Sequence, residues 1–216
     1  GHDLRTPLGA IRNGAQVLAR SAVDARSTKI AKLIDGSATR MSGLIDDVLD
    51  FTRGRLGGGM ALEIGDGARL EPALRQVIAE LQTSATDHII EARIDLPSGG
   101  VPCDLNRVSQ LASNLLGNAL TYGDPAAPVK FTAEVTDDEF VLTVANTGEP
   151  ISAETRSRIF EPFERSAESH NKEGLGLGLF IAHSIASAHR GTLGVTSDTE
   201  QTKFTFRMPT QHGTNQ

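Results

Sequence analysis

The 216-residue sequence contains very little cysteine and few aromatic residues, and each shortage excludes a class of protein. Its single cysteine, Cys103, leaves no internal disulfide framework and no cysteine-based zinc site, and this usage is typical of a reducing cytoplasm. Aromatic residues make up 4% of the chain and tryptophan is absent, which argues against a protein that binds single-stranded nucleic acid by stacking. No stretch approaches the ~20 consecutive apolar residues of a membrane helix. We therefore expect a cytoplasmic protein whose residues here make no direct contact with a membrane.

An excess of positive charge is also missing, since 21 Lys and Arg residues face 27 Asp and Glu residues. Binding nucleic acid in general requires basic residues that neutralise phosphates, so we expect no nucleic-acid partner. The charge is unevenly distributed. Residues 1–57 hold 9 basic and 6 acidic residues, whereas the remaining residues hold 12 and 21. The two parts are therefore expected to meet different partners.

Residues 1–57 show the apolar spacing of helices that pack along a narrow seam. Apolar positions alternate at spacings of three and four, which is a heptad pattern. A polar link over residues 21–27 separates two such runs, so the pattern predicts an antiparallel helical hairpin. Two helices alone bury too little surface to be stable, so we expect two hairpins to form a dimeric four-helix bundle. The seam residues are Leu4, Leu8, Ile11, Ala15 and Leu18, then Ile30, Ile34, Ser37, Met41, Leu44, Val48 and Phe51.

After a flexible boundary at residues 57–59, the chain alternates between helical and strand patterns. The periodicity predicts helices over residues 70–82, 105–122 and 175–189, and strands over 88–96, 129–135, 140–145, 191–196 and 203–208. The Asp137-Asp138 pair between two strand patterns indicates a hairpin. The whole chain is therefore expected to be α+β, with a mixed or antiparallel sheet that carries helices on one face.

A glycine-rich segment, residues 174–179, runs directly into the last predicted helix. Glycines let a backbone approach a phosphate, and a helix N-terminus offers free N–H groups. The segment lacks the Lys-Ser/Thr ending of a P-loop and follows a polar stretch, unlike a Rossmann turn. Taken alone, it fits a phosphate loop and a tightly packed turn about equally well.

Two asparagine motifs are ambiguous in the same way. Asn114 and Asn118 are four residues apart, so their amides share one helical face and could offer oxygen ligands to Mg²⁺. Asn146, at a predicted strand end before Thr147 and Gly148, could hydrogen-bond a base edge. The alternatives are a solvated helix face and an ordinary Asx turn.

The remaining motifs are an aromatic pair and an amino-terminal His-Asp pair. Phe160 and Phe163 precede the polar stretch, where they could anchor a lid or fill the core. His2 stands beside Asp3, whose carboxylate can orient or deprotonate the imidazole and so expose a nucleophilic nitrogen. Arg5 could steady phosphoryl oxygens.

Along the chain, the His-Asp pair comes first, followed by the two asparagine motifs, the aromatic pair and the glycine-rich segment. In that order the motifs resemble those of the transmitter module of two-component sensor histidine kinases, over nearly the whole chain. The motif around His2 and Asp3 is also similar to those of cytoplasmic sensors and bacterial phytochromes. The resemblance implies a dimerisation and histidine-phosphotransfer hairpin over residues 1–57. It also implies a gyrase-like ATP-binding α/β sandwich, the Bergerat fold, over residues 58–210, followed by a tail over 211–216.

The resemblance also implies roles for single residues. His2 matches the phospho-accepting histidine, Asp3 the adjacent general base, and Thr6 the position that orients water when the partner regulator is dephosphorylated. Asn118 matches the Mg²⁺ ligand and Asn146 the position that recognises adenine. The other positions expected at the ATP site are Asn114, Tyr122 (against adenine), Gly148, Phe160, Arg165 (a phosphate contact), Gly174, Gly176, Leu177 and Gly178. The glycines are expected to line the phosphates and to hinge a lid over residues 165–173.

The implied activity is ATP-dependent autophosphorylation of His2, followed by phosphoryl transfer to an aspartate on the receiver domain of a response regulator. ATP and Mg²⁺ are the implied cofactors, and the regulator and a second copy of the chain are the implied partners. Phosphatase activity on the regulator belongs to the same expectation. The alternative is a catalytically silent dimeric scaffold that binds nucleotide or regulator. A gyrase-like ATPase would need a glutamate at position 114, because an amide cannot act as a base.

Three positions depart from the family pattern. Asn146 stands where the family has Asp, Pro150 replaces a glycine, and Thr121 replaces a common lysine. Each change removes a charge or stiffens a turn. We therefore expect nucleotide binding to be weaker than in a site with the usual residues.

Overall fold

The structure, a computed structural model, describes residues 2–21, 24–55, 60–85, 87–164 and 175–210. The chain divides into two compact units, residues 1–57 and 58–216. Within the described ranges, no helix combines the length and apolarity needed to cross a bilayer.

The first unit consists of helix α1 (His2–Ser21) and helix α2 (Ala25–Arg55). Asp24 begins the second helix by accepting hydrogen bonds from the Ser27 backbone N–H at 2.7 Å and the Ser27 hydroxyl at 2.8 Å. These bonds satisfy a free donor of the first turn, and they lower the pKa of the Asp24 carboxyl. The link between the helices is thus shorter than the sequence pattern predicts, because α2 starts directly after this cap.

Small side chains form the contact between α1 and α2. Ala15, Ala31 and Ala38 are buried together with Leu8, and alanine lets two helix backbones approach closely. Gln16 Nε2 donates to Asp35 Oδ1 at 3.2 Å across the pair, which fixes the antiparallel arrangement.

The predicted seam is divided between two faces. Leu8 and Ala15 are buried inside the hairpin, whereas Ile11 and Leu18 are 47% and 58% exposed. On α2, the exposed Ile34, Met41 and Val48 follow one another at seven-residue spacing, and Ile30 lies one turn before Ile34, which keeps these four on one side. We call this exposed set the apolar stripe; it comprises Ile11, Leu18, Ile30, Ile34, Met41 and Val48.

The second unit is built on a five-stranded sheet with the order β1-β2-β3-β5-β4. The strands are β1 (Ile90–Asp95), β2 (Val129–Thr136), β3 (Glu139–Asn146), β4 (Thr192–Ser197) and β5 (Thr202–Pro209). Only β1 pairs in parallel, with β2, and the other neighbours are antiparallel. The helices are α3 (Leu70–Ser84), α4 (Leu105–Tyr122), α5 (Ala153–Arg158) and α6 (Gly178–Ala188).

The core lies between one face of this sheet and helices α3, α4 and α6. Alternate residues of β2 and β5 are buried, while intervening residues such as Lys130, Glu134 and Arg207 are exposed, and the central strand β3 is buried along most of its length. This alternation is that of a sheet with one covered face, and it confirms the predicted placement of the helices. The largest buried side chains include Phe131, Phe140, Phe204 and Phe206 of the sheet and Leu111, Leu115 and Leu116 of α4.

A buried histidine connects the end of α6 to the beginning of α4. His189 Nδ1 lies 2.9 Å from the Ile185 carbonyl oxygen, and His189 Nε2 accepts from the Asp104 N–H at 3.1 Å. The Asp104 side chain caps α4 by accepting from the Arg107 N–H. Desolvation raises the pKa of the neighbouring Cys103 thiol to about 12. The hydrogen bonds of His189 and Asp104 hold the amino end of α4 in place, and they thereby also position its carboxyl half.

Three local features differ from, or add to, the sequence prediction. Helix α6 begins at Gly178 rather than at residue 175, because Gly176 has a φ of +70° and interrupts the helical backbone. Helix α5 was not predicted, since it is short and none of its residues is buried. The hairpin at Asp137 and Asp138 is confirmed, and both residues have the positive φ values of a two-residue turn.

Candidate functional site

Several chain segments meet around the carboxyl half of helix α4. These are α4 from Asn114 to Tyr122, the turn after β3, and the start of α6, which is also tied to residues 160–163. By the rise of an α-helix, Asn114 and Tyr122 lie about 12 Å apart. The start of α6 is held at one end of this stretch and the β3 turn at the other, as the contacts below show.

Asn114 connects α4 to the start of α6. Its Nδ2 donates to the Gly178 carbonyl oxygen at 3.1 Å. A Cβ on Gly178 would lie 3.7 Å from Asn114 Oδ1, so the two segments are in direct contact. Gly178 is the first residue of an 11-residue helix, and the N–H groups of such a first turn have no partner within the helix.

Asn118 lies one turn further along the same face of α4. Its side chain is half-buried, and among the described residues it makes no hydrogen bond. The oxygen of this amide is therefore available to a ligand beside the start of α6.

The turn after β3 is held against the carboxyl end of α4. The Asp124 N–H donates to the Thr147 carbonyl oxygen at 2.9 Å. A Cβ on Gly148 would lie 2.7 Å from the Tyr122 carbonyl oxygen, so only glycine fits this approach. Tyr122 itself is 40% exposed at the end of the helix.

Asn146 places a hydrogen-bond acceptor in this turn. It is 6% exposed, and its Nδ2 donates to the Thr147 carbonyl oxygen at 3.0 Å. This bond orients the amide. Its other polar atom, Asn146 Oδ1, has no partner among the described contacts. The Thr147 hydroxyl is buried and has no hydrogen-bond partner in the described part of the chain.

Two hydroxyl side chains, which the sequence motifs did not single out, continue from Asn146 across the sheet. Thr202 stands directly opposite Asn146 in the pairing of β3 with β5, and Ser197 stands opposite Thr202 in the pairing of β4 with β5. The Ser197 and Thr202 hydroxyl oxygens are 2.7 Å apart. The strand register reveals these residues; the sequence carried no separate signal for them.

The glycine-rich segment and the aromatic pair are also linked. The Phe163 N–H donates to the Gly176 carbonyl oxygen at 3.0 Å. The Phe160 ring stacks on His183 of α6, with centroids 5.2 Å apart, and meets Phe204 edge to face at 6.4 Å. Phe160 is therefore anchored to the core, and Leu177 is buried at the N-cap of α6.

Some predicted site residues lie outside the described residues. These are Arg165, Gly174 and the lid over residues 165–173. Helix α1 includes His2, Asp3, Arg5 and Thr6 in its backbone, but their side chains also lie outside what is described.

The described residues fit a nucleoside triphosphate with a hard cation. The β3 turn offers an acceptor at Asn146 and an unpaired hydroxyl at Thr147 for a base. The free Asn118 amide suits Mg²⁺, which takes oxygen ligands and usually shares them with phosphates. The start of α6 suits the phosphates themselves.

Comparison with known proteins agrees with this chemistry. Residues 103–212 match the family described as histidine kinase-, DNA gyrase B-, and HSP90-like ATPase, and residues 1–57 match the His Kinase A (phospho-acceptor) domain. A bacteriophytochrome of Pseudomonas aeruginosa is 35% identical over 211 residues, which cover 97% of this chain and 28% of that protein. The probable sensor histidine kinase TcrY of Mycobacterium tuberculosis is 33% identical over 215 residues, covering 96% and 44%. The chain thus spans less than half the length of these relatives.

Solved structures give the same result for the fold. Full-length ShkA in complex with AMPPNP superposes with a TM-score of 0.71 at 29% identity, covering 96% of this chain and 44% of that one. The histidine kinase AdeS of Acinetobacter baumannii superposes with a TM-score of 0.65 at 24% identity, covering 98% and 99%. The predicted fold, a helical part followed by a mixed α/β domain of the Bergerat type, is confirmed. The chain belongs to the histidine kinase-, DNA gyrase B- and HSP90-like ATPase family and, within it, forms the transmitter module of a two-component sensor histidine kinase.

Proposed function

We propose that this protein uses ATP to phosphorylate His2 and then passes the phosphoryl group to an aspartate on a response regulator. The observation that carries the proposal is the role of the carboxyl half of α4, which holds the turn after β3 (the base-binding turn, residues 146–150) beside Tyr122 and the start of α6 beside Asn114. The other unit supplies the His2-Asp3 pair on helix α1. The expected place of this reaction is the cytoplasm.

In the proposed ATP site, Asn146 accepts a hydrogen bond from the adenine amino group and Tyr122 lies against the ring. The start of α6, with Gly176 and Gly178, surrounds the phosphates, and Arg165 and Gly174 complete their contacts. Asn118 would hold Mg²⁺. When bound, this ion neutralises charge on the phosphate oxygens, which is the main electrostatic requirement of phosphoryl transfer.

The chemical step needs a nucleophile, a base and a leaving group. Asp3 takes the proton from the His2 imidazole, and the freed nitrogen attacks the γ-phosphorus in line. The bond from that phosphorus to the bridging oxygen of ADP breaks, so the electron pair leaves with ADP. When the phosphoryl group passes to an aspartate carboxylate on the regulator, the N–P bond breaks and Asp3 returns the proton, which restores neutral His2. Arg5 would steady the phosphoryl oxygens, and in the separate phosphatase reaction Thr6 would orient the water that hydrolyses the regulator's phosphoaspartate to aspartate and inorganic phosphate.

The hairpin unit is suited to two partners. Its apolar stripe leaves side chains such as Ile34 and Met41 substantially exposed, and a second copy of the chain would cover them in a four-helix bundle. Its basic excess favours the acidic pocket of a receiver domain, because complementary charge accelerates encounter.

The structure suggests why an amide is acceptable at position 146. Asn146 Nδ2 donates to the Thr147 carbonyl oxygen, which a carboxylate could not do. The amide oxygen can still accept from adenine, although without a negative charge. The expectation of weakened ATP binding, from Asn146, Pro150 and Thr121, stays a prediction.

The proposal is tested by incubating the protein with Mg²⁺ and ATP labelled at the γ-phosphate. We expect label on the protein that is acid-labile and base-stable, as phosphohistidine is. The label should be absent from His2→Ala and strongly reduced in Asn118→Ala. A variant of an exposed residue away from both motifs, Lys130→Ala, serves as the control and should be labelled like the wild type.

The outcomes separate the proposal from its alternative. Protein that binds ATP with Mg²⁺ but takes up no label would contradict a kinase and favour the silent scaffold. Label that persists in His2→Ala would place the phosphoryl group on another residue.

A further inference from the structure

A row of three polar side chains crosses the end of the sheet beside the β3 turn. Asn146 of β3, Thr202 of β5 and Ser197 of β4 are successive partners in the strand pairing. Asn146 and Thr202 are both 6% exposed, and directly paired residues have Cβ atoms about 5 Å apart on the same face. The Thr202 hydroxyl therefore lies next to the Asn146 amide at the base-binding end of the proposed ATP site.

The outer end of this row is fixed by the backbone. The Ile151 N–H donates to Ser197 Oγ at 2.9 Å, and Arg156 Nη1 donates to the Ser197 carbonyl oxygen at 2.9 Å. Ile151 directly follows Pro150, which has no N–H of its own. Ser197 thus anchors the chain that leaves the β3 turn.

These bonds determine which hydroxyl of the row donates and which accepts. Ser197 Oγ already accepts from Ile151, and its other described contact is Thr202 Oγ1 at 2.7 Å. If Thr202 donated to Ser197, the Ser197 hydroxyl hydrogen would lack an acceptor in a half-buried place, which is unfavourable. The favourable order has Ser197 donating to Thr202, so that the Thr202 hydroxyl hydrogen is free to donate to a ligand.

The base-binding turn then presents an acceptor, Asn146 Oδ1, next to a donor, the Thr202 hydroxyl. Adenine offers the complementary pattern, because its amino group donates beside a ring nitrogen that accepts. Guanine carries a carbonyl oxygen in place of that amino group, so it would set one acceptor against another.

We infer that Ser197 is a positioning residue for purine selection: by fixing the donor direction of the Thr202 hydroxyl, it makes the site prefer a 6-amino purine nucleotide to guanine nucleotides. The inference rests on the proposed function, since it assumes that the base of the nucleotide lies at Asn146. Ser197 acts through Thr202 and touches no substrate itself.

The test measures dissociation constants of the 216-residue chain for ATP and for GTP, each with Mg²⁺, and takes their ratio. Ser197→Ala should reduce the preference for ATP about tenfold, the value of one hydrogen bond of ordinary strength. Ser197→Thr keeps a hydroxyl on a strand and should restore the preference. Ser184→Ala is the matched control, because Ser184 is a half-buried serine of α6 that bonds only within its own helix, to the Phe180 carbonyl oxygen.

A double-mutant cycle separates positioning from a general loss of structure. Thr202→Val should reduce the ATP preference as much as Ser197→Ala does, and combining them should reduce the ratio no further, because Ser197 affects the choice of base only through Thr202. Loss of the Ile151 anchor in Ser197→Ala would weaken the binding of both nucleotides and cancel in the ratio. If Ser197→Ala proves unstable, the ATP-to-GTP ratio is compared instead between Thr202→Val, in which the preference should fall, and Ser197→Thr, in which it should be retained.

Four results would overturn the inference. An unchanged ratio in folded Ser197→Ala would exclude the positioning role, and so would an additive double variant. A wild type that binds ATP without preference over GTP would exclude purine selection while leaving the proposed kinase intact. A wild type that binds neither nucleotide would instead contradict the proposed function, and this inference with it.

Discussion

Asn114 and Asn118 lie one turn apart on the same face of α4, but only Asn114 is held by the protein. Its amide donates to the Gly178 carbonyl oxygen, whereas the Asn118 side chain has no partner in the described ranges. A half-buried amide without a side-chain hydrogen bond in the described ranges supports the proposed role of Asn118 in holding Mg²⁺. We therefore propose that Asn114 has a structural role and that Asn118 binds the ligand.

This difference predicts opposite behaviour for two alanine variants. Asn118→Ala should leave the free energy of unfolding unchanged and lower the affinity for ATP in Mg²⁺ by tenfold or more. Asn114→Ala should lower the free energy of unfolding by about 1 kcal/mol, the net value of a hydrogen bond. Urea denaturation and calorimetric titration of both variants check the prediction. Equal loss of stability in the two variants would contradict it.

Gly148 gives a second residue-scale prediction. Its backbone lies so close to the Tyr122 carbonyl oxygen that a Cβ would approach to 2.7 Å, and its φ is +156°. Gly148→Ala should therefore displace the base-binding turn and weaken ATP binding, at a cost in stability of about 1–3 kcal/mol. Gly194→Ala is the control, because a Cβ there meets nothing within 4 Å. Similar ATP affinity in the two variants would show that the turn is not part of the site.

The sequence motifs predicted which asparagines and glycines to examine, but not Thr202 or Ser197. A motif records neighbours along the chain, whereas Thr202 lies next to Asn146 only because β5 pairs with β3 in one register. Register depends on the packing of the whole sheet face. The polar row therefore becomes visible only in three dimensions.

At the scale of elements, periodicity predicted the helices and strands well, because one face of each is buried. Periodicity failed where the backbone conformation of a single residue sets a helix boundary. Gly176 has a φ of +70°, so α6 begins later than the pattern predicted. It also missed α5, because a helix with no buried residue has no apolar pattern.

The hairpin carries the element-scale prediction. Met41→Glu places a charge in the apolar stripe, so it should convert the expected homodimer to monomer in size-exclusion chromatography with light scattering. Lys32→Glu is the control: it is nine residues away, which is two and a half turns, and so lies on the opposite side of α2. The stripe is not the dimer contact if both variants remain dimeric or both dissociate.

At the scale of the whole molecule, the chain separates two tasks between two units with opposite charge. The hairpin unit has a basic excess and the sheet unit an acidic one. An acidic domain can bind a polyanionic nucleotide only if it gathers local donors, and we propose that the start of α6, beside Asn114 of α4, supplies them. The charge asymmetry could be seen in the sequence, but the convergence on α4 could not.

The most direct test of this account is hydrogen–deuterium exchange of the protein with and without ATP and Mg²⁺. The account predicts slower exchange in residues 118–124, 146–151 and 176–181 together, with no change at residues 192–196 on the β4 edge. The protection should disappear in Asn118→Ala or when Mg²⁺ is removed. Protection confined to another surface, such as the groove lined by residues 67–75 and 96–100, or absent altogether, would contradict a nucleotide site built around α4.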